Sequence, residues 1–201
     1  YKKIPRFVVG EHDVRIMLPK RPLDAHKGTF GTALIVAGST NYTGAALLAG
    51  RAAYRIGAGL VTLAIPNPLH GVLAGQFPEA TWLPLPDEAG FIAAEATNVV
   101  INNLGRITAL LLGPGFGLHE TTFEFIRRLL QECAKQENNF PPLIFDADGL
   151  KLLARIPNWY TQIPSPAVLT PHPGEMSLLT GLSTNAIQSD RLNLASQFSK
   201  E

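Results

Sequence analysis

The sequence of 201 residues predicts an α/β fold, a mostly parallel central sheet with helices on both faces. Two observations carry this prediction. Short continuous apolar runs, "ALIVA" (33–37), "LVTLAI" (60–65), "ALLL" (109–112), "LIF" (143–145) and "AVL" (167–169), have the length of strands buried on both sides. Several are separated by alanine-rich or amphipathic stretches of helical spacing, and parallel neighbours need such crossovers to connect them.

The elements follow in chain order. Residues 1–22, with three prolines and little periodicity, read as an arm or interdomain linker, within which "EHDVRIML" can hold a short helix. From residue 23 to 201 the texture is that of one folded domain. "ALIVA" ends at Gly38, and after the turn "GSTNYTG" the stretch "GAALLAGRAAYRIGAG" has the alanine and leucine content of a helix. "LVTLAI" gives way to a proline-rich break before "ALLL". In "FEFIRRLLQECAKQ", Phe123, Ile126, Leu129, Leu130, Cys133 and Ala134 recur at helical spacing, which assigns Cys133 to the core rather than to chemistry. "FPP" stops that helix. The last stretch, "NAIQSDRLNLASQFSKE", reads as one helix without a terminating glycine.

Composition narrows the function classes. Hydrophobic residues at 46% and charged residues at 16% are globular proportions, and a net charge of +1 argues against a protein that tracks nucleic-acid backbone. The basic run "KRPLDAHK" reads as solvated surface. A lone cysteine excludes an internal disulfide and fits a reducing compartment, so a cytoplasmic location is expected. No apolar segment approaches the roughly 18 residues that mark a membrane span.

In parallel sheets ligands bind beyond the carboxyl ends of the strands. Each chemically suggestive string here follows an apolar run, so all are expected at one edge. "AGSTNYTGAA" brackets Asn41 between Gly38 and Gly44 before a helix start, where free N–H groups attract anions; it equally fits an ordinary glycine-rich turn. In "GPGFG", Gly113, Gly115 and Gly117 leave room for a flat or bulky ligand against main chain. "FDADGL" places Asp146 and Asp148 one residue apart, on the same side of an extended segment; they could hold hydrated magnesium or a ligand. Asp148 could instead cap a helix beginning at Gly149. In "TPHPGE", Pro171 ends a strand, Pro173 suits the first helical position, and His172 becomes the N-cap with Glu175 as its capping partner. There an uncharged imidazole can exchange hydrogen bonds with a ligand, or serve only its helix.

At these residues the sequence resembles the ADP/ATP-dependent NAD(P)H-hydrate dehydratase family. The strings "HKGTFGTALIVAGSTNYTGAALLAGRAAYRIGAGLVTLAIP" (26–66), "LLGPGFG" (111–117), "LIFDADGLKLLA" (143–154) and "LTPHPGEMSLLTG" (169–181) are similar to the family's signature strings and stand in its order. The resemblance runs from about Glu11 onward and implies a ribokinase-like fold. It also implies a repair reaction in which ADP or ATP, with Mg2+, phosphorylates the hydroxyl of hydrated NADH or NADPH, and loss of phosphate restores the dinucleotide. By matching position, Ala45, Gly113, Gly115, Gly117 and His172 with Pro173, Gly174 and Glu175 are expected to line the dinucleotide site. Lys27, Gly28 and Thr29 match as well, with no assignable role.

The family's later strings, a lysine-glycine strand that contacts the nucleotide and a "GTGD"-like turn carrying the catalytic aspartate, do not occur in this sequence. The expectation is a domain incomplete at its C-terminus, about its first two-thirds, inactive alone, with the catalytic aspartate beyond Glu201. A fused or separate NAD(P)H-hydrate epimerase partner and a homo-oligomeric assembly complete it. The alternatives are a ribokinase-like kinase for a vitamin precursor and a noncatalytic nucleotide-binding fragment.

Overall fold

The computed structural model describes residues 7–135, 140–163 and 166–200; the first six residues of the expected arm lie outside them. Six strands, β1 (Thr32–Val36), β2 (Leu60–Pro66), β3 (Thr81–Leu85), β6 (Ala109–Leu112), β7 (Leu143–Phe145) and β8 (Ala167–Leu169), form one sheet in the order β3-β2-β1-β6-β7-β8. Every neighbouring pair is parallel, with Val36 opposite both Ala64 and Leu112. β4 (Asp87–Glu88) and β5 (Phe91–Ile92) make a small separate antiparallel hairpin.

The sheet is covered on both faces. Along β1, Leu34 and Val36 join one hydrophobic cluster while Ile35 and Ala37 join the other, as alternation along a strand requires. The first cluster lies beneath α4 (Ala96–Asn102), α5 (Glu120–Lys135) and α6 (Asp148–Leu153) and includes the fully buried Phe116, Phe125 and Phe145. The second lies beneath α2 (Gly44–Ile56) and α3 (Asn67–Leu73). Each such side chain stabilises the fold by about 1.5–3 kcal/mol relative to exposure, before chain entropy is counted. Cys133 is buried in the first cluster, as its helical spacing predicts, and Phe125, which that spacing passed over, is buried beside it.

Three elements depart from the sequence reading. The proline-rich break holds α3, β3 and the hairpin. The expected last helix is two, α8 (Thr184–Ser189) and α9 (Arg191–Phe198), because Asp190 leaves helical geometry at φ −146°, ψ 50°. β8 is not a buried strand: it borders the sheet, with Ala167 and Val168 exposed. The short helix expected in the arm is α1 (Glu11–Met17), which buries none of its residues.

From β1 the chain proceeds outward through β2 to β3; it then returns to β6 on the other flank and proceeds outward again through β7 to β8. The strand order therefore reverses between β1 and β6. At such a point the two outgoing loops diverge, and this is where open α/β sheets accommodate ligands.

Candidate functional site

The loops after β1 and β6 flank the reversal and are bonded to each other. Gly38 N–H donates to Pro114 O at 2.8 Å. The hairpin reaches the same place, with Thr40 N–H donating to Gly90 O at 2.9 Å. Phe91 of the hairpin stacks on His119 at 4.8 Å between ring centroids. Ser39, fully buried in the β1–α2 loop, has no hydrogen-bond partner for its Oγ among the described residues. Ala45, in the first turn of α2, is partly buried, and Asn41 is exposed on the loop before it. The hairpin's share in this rim was not foreseen, since strands of two residues leave no periodic signal in sequence.

The glycine-rich turn packs against the chain itself. Gly113, Gly115 and Gly117 have φ of +124°, +68° and +70°, a region that side chains disfavour. The chain itself fills the space a side chain would need. A Cβ on Gly113 would run into the Asp146 carbonyl, one on Gly115 would lie 2.6 Å from Ala45 Cβ, and one on Gly117 would lie 2.9 Å from Phe91. These glycines let three loops close upon one another rather than leaving open volume.

"FDADGL" also needs correcting. The segment is not extended: Ala147 sits at φ 52°, ψ −123°, turning the chain sharply between β7 and α6. The two carboxylates consequently take separate partners. Asp146 Oδ1 accepts from Thr170 Oγ1 at 2.6 Å, tying the β7 loop to the β8 loop. Asp148 is the first residue of α6, not the N-cap of a helix beginning at Gly149; the cap is Ala147, with no side-chain cap bond. Asp148 Oδ2 instead accepts from Gly117 N–H at 3.0 Å, and its Oδ1 from Lys151 Nζ at 2.8 Å. Both oxygens thus have partners within the chain. Among the described residues no group of three or more His, Cys, Asp or Glu side chains is placed to hold a metal ion.

"TPHPGE" folds as its residue types dictate. His172 is the N-cap of α7 (Pro173–Thr180), and its Nδ1 accepts from Gly174 N–H at 3.0 Å and Glu175 N–H at 3.3 Å. Glu175 Oε2 closes the capping box by accepting from His172 N–H at 2.9 Å. Gly174 is the residue that allows the fold-back, because a Cβ there would stand 2.9 Å from the imidazole Cε1. Since Nδ1 accepts, the ring proton resides on Nε2, which lies 3.1 Å from Glu175 Oε1. The Glu175 side chain is 4% exposed and the His172 side chain 62%, so the imidazole shields a buried carboxylate and shows its outer side to solvent.

Lys151, which sequence reading passed over, joins these loops. Its pKa is raised, first by the hydrogen bond to Asp148, against a lowering by burial, and then by the negative charge of Asp148 and Glu175. Glu175 belongs to α7, so the ammonium of α6 stands within the field of the next loop as well. The four predicted strings thus gather at one rim. A separate cavity of about 430 Å3 opens at the opposite edge of the sheet, beside Thr32 and Leu60 at the starts of β1 and β2, away from this rim.

Comparison with known proteins agrees with this geometry. The sequence signature of NAD(P)H-hydrate dehydratases matches residues 33–201. The chain is 38% identical over 188 residues to the bifunctional NAD(P)H-hydrate repair enzyme Nnr of Moorella thermoacetica, covering 93% of this chain and 34% of that protein. It is 33% identical over 192 residues to the ADP-dependent (S)-NAD(P)H-hydrate dehydratase of Bacillus subtilis, covering 95% of this chain and 62% of the relative. A crystal structure of the Bacillus subtilis ADP/ATP-dependent NAD(P)H-hydrate dehydratase, co-crystallised with ATP/Mg2+, superimposes with a TM-score of 0.73 at 32% identity, over 94% of this chain and 61% of that one. A ribokinase-like superfamily protein of Enterococcus faecalis superimposes with a TM-score of 0.69 at 25% identity, over 90% of this chain and 59% of its own. The chain therefore spans about a third of the bifunctional relatives and about three-fifths of the Bacillus subtilis protein.

Proposed function

Because this chain belongs to the NAD(P)H-hydrate dehydratase family, whose signature spans residues 33–201, we propose that it forms the dinucleotide-binding rim of an ADP- or ATP-dependent dehydratase. The enzyme restores NADH or NADPH from the S-epimer of the hydrate. The observation that carries this reading is the meeting of the loops after β1, β6, β7 and β8 at the sheet's point of reversal, where Gly38 bonds to Pro114 and Gly117 to Asp148.

In this reading the bound ADP or ATP supplies the phosphoryl group that turns the ring hydroxyl into a leaving group. The chain's own residues bind and orient. Small residues at Ala45 and Gly115 keep the first turn of α2 and the glycine-rich turn in contact, so the dinucleotide lies against main chain. His172 offers the exposed outer side of its ring, since Nδ1 is spent on the cap and Nε2 lies against Glu175. Glu175, buried behind it, fixes the ring's orientation. Magnesium, with which the Bacillus subtilis protein was co-crystallised together with ATP, would reach such a site on the nucleotide's phosphates, because the described residues offer no ready-made ligand cluster. Residues 23–201 act as part of the dehydratase domain, and the activity belongs to protein of full family length. A fused or separate NAD(P)H-hydrate epimerase, in keeping with the Nnr relatives being bifunctional, a homo-oligomeric assembly and a cytoplasmic location complete the proposal. No helix among the described residues is long and apolar enough to cross a membrane.

The test is to supply the complete protein with ADP or ATP and the S-hydrate of NADH and follow the return of NADH absorbance. His172→Ala should raise KM for the hydrate more than it lowers kcat. Accumulation of a phosphorylated small alcohol, with the hydrate left untouched, would instead establish a vitamin-precursor kinase and sink the proposal.

A further inference from the structure

Ala147 is a non-glycine residue at φ 52°, ψ −123°, a conformation that costs on the order of 1–3 kcal/mol and persists only where the surroundings impose it. Its neighbours show what imposes it. Gly149 lies so close to β6 that a Cβ would be 2.8 Å from both Gly113 Cα and Leu112 O. The sharp turn thus drives the first turn of α6 beneath the glycine-rich turn. Asp148, at the start of that helix, is brought within reach of an amide 31 positions earlier in the chain.

The Asp148 side chain is 14% exposed, and a carboxylate so placed is stable only with its oxygens satisfied. Gly117 N–H satisfies one and Lys151 Nζ the other. Lys151, three residues further along α6, is 33% exposed and fixes the direction in which that carboxylate points. Neither residue is needed to hold α6 itself together, since Leu150, Leu152 and Leu153 are fully buried in the core. What the pair holds is the far end of the glycine-rich turn. The turn is held elsewhere by the Gly38 N–H bond to Pro114 O and by the fully buried Phe116, so the pair governs its last residue.

We propose that Asp148 is a positioning residue for the dinucleotide, clamping the Gly113–Gly117 turn through the Gly117 amide, with Lys151 as the counter-charge that aims its carboxylate. The inference rests on the function proposed above and extends it to residues that do not touch the ligand. The clamp determines where the turn's remaining main-chain groups stand relative to Ala45 on one side and His172 on the other. A displacement of about 1 Å at such groups is enough to cost about a hundredfold in catalysis.

The experiment separates the hydrogen bond from the ion pair in the complete protein. The double variant Asp148→Asn with Lys151→Met keeps an oxygen facing Gly117 without the charges; Asp148→Ala with Lys151→Met removes both. The first should hold kcat/KM for the NADH hydrate within about threefold of wild type, and the second should lose tenfold or more, mainly in KM. Amide exchange at Gly117 should quicken in the alanine variant and not in the asparagine variant. Equal kinetics in the two variants, or unchanged Gly117 exchange in the alanine variant at a temperature where both remain folded, would overturn the clamp. A wild-type protein that does not consume the hydrate would sink the proposed function instead, and the exchange measurement would still decide the clamp.

Discussion

Gly115→Ala tests the closure of the rim with a single methyl group. The new Cβ would stand 2.6 Å from Ala45 Cβ, 2.9 Å from Tyr42 Cβ and 3.0 Å from Tyr42 O, and the residue would remain at φ +68°. The left-handed backbone costs an alanine about 1–2 kcal/mol. Forcing the two loops apart adds about 1–3 kcal/mol, and reduced freedom in the unfolded chain returns about 0.4–1 kcal/mol. The net is a loss of about 1–5 kcal/mol, large against a total stability of about 5–15 kcal/mol. With a urea dependence of about 2–3 kcal/mol/M, the unfolding midpoint should fall by about 0.3–2.5 M. Gly44→Ala is the control. It lies at the first helical position of α2, has no atom within 4 Å of an added Cβ, and should leave the midpoint unchanged or slightly raised. If Gly115→Ala melts no earlier than Gly44→Ala, the loops are not packed as described and the reasoning fails.

Two further outcomes are expected. Burial pushes the Cys133 thiol up to about 12, so at about pH 8 it should stay neutral and resist a thiol reagent in the folded chain, reacting stoichiometrically only in denaturant. Hydrogen bonds from Arg127 and then Arg128 hold Glu124 down from 4.5 to about 2, so its folded carboxylate gives up its proton more readily than the unfolded one. That contribution is complete above about pH 4.5 and is lost as pH falls through about 2; the stability gap between wild type and Glu124→Gln, read from urea midpoints, should narrow across that window.

Much of the fold was legible because buried parallel strands write themselves as unbroken apolar runs, and "ALIVA", "LVTLAI", "ALLL" and "LIF" are all such strands, while "AVL" is a strand but not a buried one. β3 escaped because Pro84 interrupts it, which an outermost strand tolerates and a central one would not. At the rim, the roles of His172 and Glu175 were legible because a capping box is a local device whose partners lie three residues apart. The bond that Asp148 makes was not among the alternatives of ligand or cap, because its partner, Gly117, is remote in sequence and is reached only through the unusual backbone of Ala147. The glycines of "GPGFG" carried a similar ambiguity. Sequence shows that side chains are missing, but not whether a ligand or another loop takes the space.

The outer strands of the sheet bear on how the molecule behaves in a crowded solution. On the β3 border Pro84 removes a donor from the strand. That border offers no long, uninterrupted ladder to a neighbouring molecule, so the sheet is guarded on that side against growing sideways into aggregates.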